Sequence, residues 1–255
     1  MSESAASPEG PVFQERPTEF IVRDAFVLGA LPLALAGVAG ALGWQWLGGV
    51  LLGCTAFVAA FFRNPPRFIE GDERSVVAPA DGRVLEAGEI ELPDGSKAKR
   101  VGIFLSVFNV HVNRAPCDGR VTKTIYKPGK FINAMKHDDA SADNESNTVV
   151  LAEPHGQRPV AVVKQIVGLI ARRIICTVKE SDTVHRGDRI GMIKFGSRTE
   201  LYIPKWLEPE VKVKVGDTVR GAADVIATLK QAIVTDAKEP IDEEFEPLVG
   251  RETPA

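Results

Sequence analysis

Cysteine is scarce and scattered. Cys54, Cys117 and Cys176 form no Cys-x-x-Cys pair, so neither a disulfide framework nor a zinc knuckle is expected, and unpaired thiols fit a reducing compartment. No His-x-His, His-Glu-x-x-His or carboxylate–histidine spacing points to a metal. The glycines form neither Gly-x-Gly-x-x-Gly nor a P-loop, which leaves nucleotide binding without support. Long amphipathic helices are missing too, with only 134–143 and 222–233 as weak candidates. The most informative absence is local: residues 25–62 contain no Asp, Glu, Lys or Arg, in a chain that is 25% charged.

That charge-free run of 38 residues is twice what one membrane-spanning helix needs, about 20 residues. Its middle reads Gly40-Ala-Leu-Gly-Trp-Gln-Trp46, small residues and two Trp of the kind that settle at membrane interfaces. A helical hairpin over 25–42 and 46–62 is therefore expected, spanning or re-entrant, with one long tilted helix as the alternative. Arg16 and Arg23 precede the run, and Arg63, Arg67 and Arg74 follow it. Basic residues on both flanks favour two cytoplasmic ends, and hence a place in the cell (inner) membrane with the bulk of the chain on the cytoplasmic side. A cleaved signal peptide fits poorly, because 24 mixed-charge residues come first.

The overall charge of −3 hides an asymmetry. Residues 63–235 carry 27 Lys+Arg against 22 Asp+Glu, while 236–255 carry seven acids and two bases. Four segments follow: a polar stretch 1–24, the hairpin 25–62, a body 63–235 and an acidic, disordered tail 236–255. A mildly basic body beside a bilayer would be drawn to an anionic membrane surface; no nucleic-acid partner is expected.

Short β-branched runs punctuated by Gly, Pro and Asp fill the body, among them Val101-Gly-Ile-Phe-Leu105, Val160-Ala-Val-Val163 and Arg173-Ile-Ile-Cys-Thr-Val178. The fold expected is mainly β, a β-rich α+β body. Ala78-Pro-Ala-Asp-Gly-Arg-Val84, Thr183-Val-His-Arg-Gly-Asp-Arg-Ile190 and Val213-Lys-Val-Gly-Asp-Thr-Val-Arg-Gly221 share a tight polar turn after a β-branched pair. Such turns resemble the barrel-sandwich hybrid of biotinyl and lipoyl carriers, a likeness of fold that says little about chemistry.

Chemistry gathers at Gly191-Met-Ile-Lys-Phe-Gly-Ser-Arg-Thr-Glu-Leu-Tyr-Ile-Pro204. At a Gly-Ser bond the serine hydroxyl reaches the preceding carbonyl through a five-membered ring. Gly196 leaves that carbonyl unshielded and permits unusual backbone angles. An N→O shift at Ser197, β-elimination and hydrolysis would leave an N-terminal pyruvoyl ketone. Gly95-Ser96 is a second such dipeptide, inside an Asp-Gly turn, so the dipeptide alone decides nothing.

Context does. Phe61-Phe-Arg-Asn-Pro-Pro-Arg67, Ala78-Pro-Ala-Asp-Gly-Arg-Val84, Phe108-Asn-Val-His-Val-Asn-Arg-Ala-Pro116, Pro128-Gly-Lys-Phe131, Asn144-Glu-Ser-Asn147, Gly168-Leu-Ile-Ala-Arg-Arg173 and Phe195-Gly-Ser-Arg-Thr-Glu-Leu-Tyr-Ile-Pro204 occur in order. With the hairpin before them, they resemble the phosphatidylserine decarboxylases in their shorter, membrane-associated form. The resemblance implies autocatalytic cleavage between Gly196 and Ser197, giving a β chain 1–196 and an α chain 197–255 that stay together as a heterodimer able to assemble further. It implies a covalent pyruvoyl cofactor made from Ser197, with no metal and no pyridoxal phosphate. Phosphatidylserine in the bilayer would be the substrate, decarboxylated through a Schiff base to phosphatidylethanolamine and CO₂.

The same resemblance makes Asp81 the acid that, with a histidine, activates Ser197, by the logic of a hydroxyl–imidazole–carboxylate relay. His111 is the matching histidine. Longer members carry two His in this stretch, and the second falls on Arg114 here. Arg114, Arg172 and Arg198 are candidates for contact with the substrate, since Arg suits phosphate, and His137 lies in a polar loop that could close over the headgroup. Solvated strand positions are the other reading of Arg172 and Arg198. Two alternatives stand beside this: the same chemistry on an archaeal-type ether analogue of phosphatidylserine, which the motifs do not tell apart, and a non-catalytic, biotinyl/lipoyl-like membrane adaptor or carrier, which fits less well. Asn133-Ala-Met-Lys-His137 superficially resembles the biotinylated Ala-Met-Lys of carriers, but no second apolar strand follows it.

Overall fold

The computed structural model of the chain describes residues 22, 24–69, 71–92, 95–131, 143–168, 173–193, 196–231 and 233. His137, Arg172, the Asn133–His137 stretch and the acidic tail lie outside the described residues.

The charge-free run is two helices, α1 (Asp24–Ala41) and α2 (Gln45–Phe61), packed side by side. The chain reverses between them at Gly43, whose φ of +77° is a left-handed angle that glycine adopts without strain. Among the described residues no helix is long and apolar enough to cross a membrane. The helices have 18 and 17 residues, and 1.5 Å per residue makes each a few ångströms shorter than a hydrocarbon core of about 30 Å. Their outer surfaces are nonetheless apolar: Phe26, Leu31, Trp44 and Trp46 are all more than half exposed.

The rest of the described chain is β. Eight antiparallel strands form one sheet in the order β13 (Thr218–Val219), β2 (Gly82–Glu91), β3 (Lys97–Leu105), β11 (Ser197–Pro204), β7 (Pro159–Val167), β6 (Ser146–Ala152), β5 (Gly119–Lys127), β9 (Thr183–Val184). Val84 near one edge and Val184 at the other belong to the same apolar cluster as Val101, Ile103, Val149, Val163 and Leu201. Strands so far apart in the order can share a core only if the sheet curls into a half-barrel. Two three-stranded sheets accompany it: β1 (Ser75–Val77), β14 (Val225–Leu229) and β12 (Pro209–Val211), and β4 (Val112–Arg114), β10 (Arg189–Ile193) and β8 (Ile174–Cys176). Val76 and Ile226 of the first and Ile190 of the second enter the common core. The segment 222–233, a weak helix candidate by sequence, instead supplies β14, paired on both sides.

Tight turns set the corners. At 185–188 and 214–217 the Asp carboxylate accepts the backbone N–H three residues earlier, with Gly187 and Gly216 at positive φ. Lys179–Asp182 makes the same turn with Ser181 at φ +75°.

The helical hairpin is rooted in the β body. Val22, Ala25, Phe61 and Phe62 pack on Val110, Val112 and Met192, and the Val22 N–H bonds the Phe62 carbonyl at 3.0 Å. The α2 terminus thus rests on β4 and β10, the small sheet that covers the site.

Candidate active site

Ser197 opens β11 and lies between Leu105 of β3 and Val167 of β7. Gly196 before it has φ +60°, and an added Cβ there would meet nothing within 4 Å. Glycine is therefore favoured by the backbone angle and not by lack of space. Ser197 is fully buried and its hydroxyl has no hydrogen-bond partner among the described residues. A buried hydroxyl left unpaired is uncommon and asks for a reason.

His111 just precedes β4 and is also fully buried. Its Nδ1 lies 2.9 Å from the Asn109 carbonyl, and since a carbonyl can only accept, Nδ1 carries the proton. Nε2 therefore holds the lone pair, and among the described residues it has no hydrogen-bond partner. The ring lies 4.3 Å from that of Phe61, centroid to centroid. Burial lowers its pKa to about 4, and the nearby Arg63 charge pushes the same way, while the Asn109 bond opposes them. His111 is a neutral imidazole with its basic nitrogen free.

Strand directions bring these two residues to one level. An added Cβ on Gly191 would sit 2.7 Å from the Gln165 amide nitrogen, and Ile193 packs on Val167. β10 therefore runs the same way as β7. β4 is antiparallel to β10, and β11 is antiparallel to β7, so β4 and β11 run parallel. Asn113 pairs with Gly191 in the ladder and donates to Thr199 Oγ1 at 3.0 Å. Two residues back along each strand, where side chains return to the same face, stand His111, whose carbonyl accepts the Ile193 N–H, and Ser197.

Asp81 is elsewhere engaged. Arg67 Nη2 donates to both its oxygens, at 2.9 and 2.7 Å, and the Gly221 N–H donates at 2.8 Å. Among the described residues no hydrogen bond links Asp81 to His111; the acceptor that orients the imidazole is a backbone carbonyl, that of Asn109. Asp81 is still close by. Gly82 beside it would drive an added Cβ into the Phe104 carbonyl, and Leu105, the next residue, pairs with Ser197.

The arginines expected at the lipid headgroup are built in. Arg114 is buried and donates to the Gly187 and Pro65 carbonyls and to Asn64 Oδ1. Burial lowers its pKa to about 10, with Arg67 adding to the effect. Its contacts hold the segment leaving the hairpin against the turn before β10. Arg198 is fully buried on the face of β11 opposite Ser197. It bonds Glu86 and lies 2.8 Å from Glu200, whose other oxygen accepts Tyr202 O–H at 2.5 Å. Both guanidiniums are buried and bonded within the body.

Residues that the sequence reading assigned no task lie over the face of β11 that carries Ser197 and Thr199. Asn147 donates to Gln165 at 2.9 Å, Gln165 to Asn113 at 2.8 Å, and Asn113 to Thr199. Asn113 and Asn147 fall inside motifs noted above, but nothing in one sequence says they meet.

A sequence model of the family described as phosphatidylserine decarboxylase matches residues 54–227. The chain belongs to the phosphatidylserine decarboxylase family. It is 45% identical over 195 residues to a phosphatidylserine decarboxylase proenzyme of Geotalea uraniireducens, covering 74% of this chain and 89% of that one. Against the proenzyme of Granulibacter bethesdensis the identity is 46% over 210 residues, 80% and 82% of the two chains. Against that of Magnetococcus marinus it is 40% over 217 residues, 82% and 95%. The family match begins at Cys54, within α2, and takes in every residue of the site just described.

Proposed function

We propose that this chain is the proenzyme of a phosphatidylserine decarboxylase, cut by itself between Gly196 and Ser197. The observation that carries this reading is the pair of buried, unpartnered atoms, Ser197 Oγ and His111 Nε2, on residues that share a level. His111 Nε2 takes the hydroxyl proton as Ser197 Oγ attacks the Gly196 carbonyl, and Asn109 keeps the imidazole in the tautomer that can do so. Gly196, with its left-handed φ, presents that carbonyl. Asp81 acts at a distance, fixing Arg67 and the backbone at Gly221.

A residue at position 197 with an empty hydroxyl environment and a glycine before it suits conversion to a pyruvoyl group. That group would supply a ketone able to condense with the serine amine of phosphatidylserine and to hold the electron pair left when CO₂ departs. His111 stays beside it as a proton carrier. The cut chain keeps its shape, because β11 pairs along its length with β3 and over most of it with β7.

The exposed apolar sides of α1 and α2 support burial of the hairpin in a bilayer, with the body at its cytoplasmic surface in the inner membrane. The turns that cap the strands fit a barrel-sandwich-like fold. Lipid would approach along the hairpin, whose last turn touches His111 through Phe61.

The test is a denaturing gel with intact mass. Two chains of 196 and 59 residues are expected, the shorter with a blocked N-terminus; one uncut chain from an active preparation overturns the reading. Ser197→Ala should give a single, inactive chain.

A further inference from the structure

Between the two sheets that carry Ser197 and His111 runs a row of polar side chains. Asn147, Gln165, Asn113 and Thr199 are all buried, among residues such as Val149, Val163 and Ile190. Their bonds all point one way, each amide donating to the next and the last to the Thr199 hydroxyl. Apolar side chains of the same size would fill this space without the cost of desolvating three amides. The backbone also makes room for the row: Gly191 lies over Gln165 so closely that a Cβ would sit 2.7 Å from its amide nitrogen and 2.3 Å from the Ile175 carbonyl.

Hydrogen bonds differ from apolar contacts in what they fix. An apolar interface is non-directional and slides; an N–H···O bond fails within a few tenths of an ångström. Three in series therefore hold β4 over β11 at one height and one register. Asn113 stands two residues after His111, and Thr199 two residues after Ser197, so the bond between them directly ties the strands bearing the two unpartnered atoms.

We propose that Asn113 is a positioning residue for self-cleavage: oriented by Gln165 and Asn147, it bonds Thr199 and so sets the imidazole of His111 against the hydroxyl of Ser197. This rests on the reading of Ser197 as the cleaved serine. Acting through two strands, Asn113 touches neither the scissile carbonyl nor the substrate.

The experiment compares Thr199→Val, which keeps the shape and removes the acceptor, with Thr199→Ser, which keeps the acceptor. Cleavage half-times of freshly made proenzyme are read on gels, and melting is followed for each change in a Ser197→Ala background that cannot be cut. Thr199→Val should slow cleavage by about 10- to 100-fold, the loss expected for a misplacement near 1 Å, at a temperature where the uncut protein remains fully folded. Thr199→Ser should stay within about threefold of the unaltered chain, since it restores the bond.

Equal slowing by both changes, or wild-type cleavage in Thr199→Val, overturns the proposal. Slowing seen only where the Ser197→Ala partner has begun to melt overturns it too, since the row would then be merely structural. If Thr199→Val does not fold, Gln165→Met asks the same question one bond further from Ser197, with the same outcomes. Failure of the unaltered chain to cut at all tells against Ser197 itself, and is thereby distinguished from failure of the positioning role.

Discussion

On one side of β11, Arg198 and Glu200 are fully buried and fully engaged: Arg198 with Glu86 and Glu200, Glu200 also with Tyr202, and Glu86 in turn with Arg100 at 2.5 Å. On the other side, Ser197 is buried just as deeply and its hydroxyl has no hydrogen-bond partner among the described residues. The charged face looks like the more active chemistry, yet it is closed; every strong group there already has an opposite. Burial holds the Tyr202 phenol protonated, its pKa raised further by Glu200. The quiet face, a hydroxyl and a neutral imidazole, keeps spare valence. On the proposed reading, reactivity follows unsatisfied capacity and not charge.

The sharpest way to break that contrast is to remove the spare imidazole. His111→Ala should slow self-cleavage by about 10²–10⁴-fold, the usual worth of a positioned base, with the uncut protein still folded by circular dichroism. Cleavage at the unaltered rate would move the base elsewhere. On the closed face the expected effect is on folding instead. Arg198→Leu removes the cation that Glu86 and Glu200 share, leaving Glu86 to Arg100, and should cost about 3–5 kcal/mol of stability, read as a lower urea midpoint in the Ser197→Ala background. A fall in cleavage rate with stability unchanged would show that the two faces are not separate.

A smaller effect is expected from Asp81→Asn, which removes the charge opposite Arg67 but can still accept from Gly221. It should slow cleavage by about tenfold, less than His111→Ala, because the group acts at a distance from His111. A loss as large as that from His111→Ala would put the carboxylate in direct service to Ser197.

The gentlest probe is pH. The native state keeps His111 neutral down to about 4, whereas an unfolded histidine takes up a proton near 6.5. Between those values the unfolded chain binds more protons, so stability is complete above about pH 6.5 and falls as pH drops toward 4, by about 3 kcal/mol at most. Self-cleavage should stay level from pH 8 to 6 and decline only toward 4, where Nε2 becomes protonated. A midpoint near 6.5 would mean that His111 is solvated when it acts.

Much of this was legible from local pattern. The charge-free run announced a hairpin, Gly40-Ala-Leu-Gly marked its turn, and the β-branched runs became strands. Two of the Gly-Asp turns were read as such; the third was missed because Ser181 adopts the left-handed angle in place of glycine. Strand parity would have sent Arg198 away from Ser197, since neighbours on a strand face opposite ways; the alternative of a solvated strand position did not foresee its full burial. Segment 222–233 looked helical because its alanines favour that state, and pairing with β1 and β12 overrode it. The orienting acceptor of His111 could not be read at all, being a backbone carbonyl. Nor could the amide row, whose members lie 18, 52 and 86 residues apart in the chain.

β11 begins at the proposed cut and lies in the middle of the eight-stranded sheet, with neighbours on both sides. A break placed there separates the molecule that knows how to fold from the molecule that works. The intact chain can find the central strand by local connection; two fragments would have to find it by collision. Heating or denaturant should therefore extinguish the processed pair for good, while the Ser197→Ala precursor recovers on cooling, so that each working copy carries a history it cannot repeat.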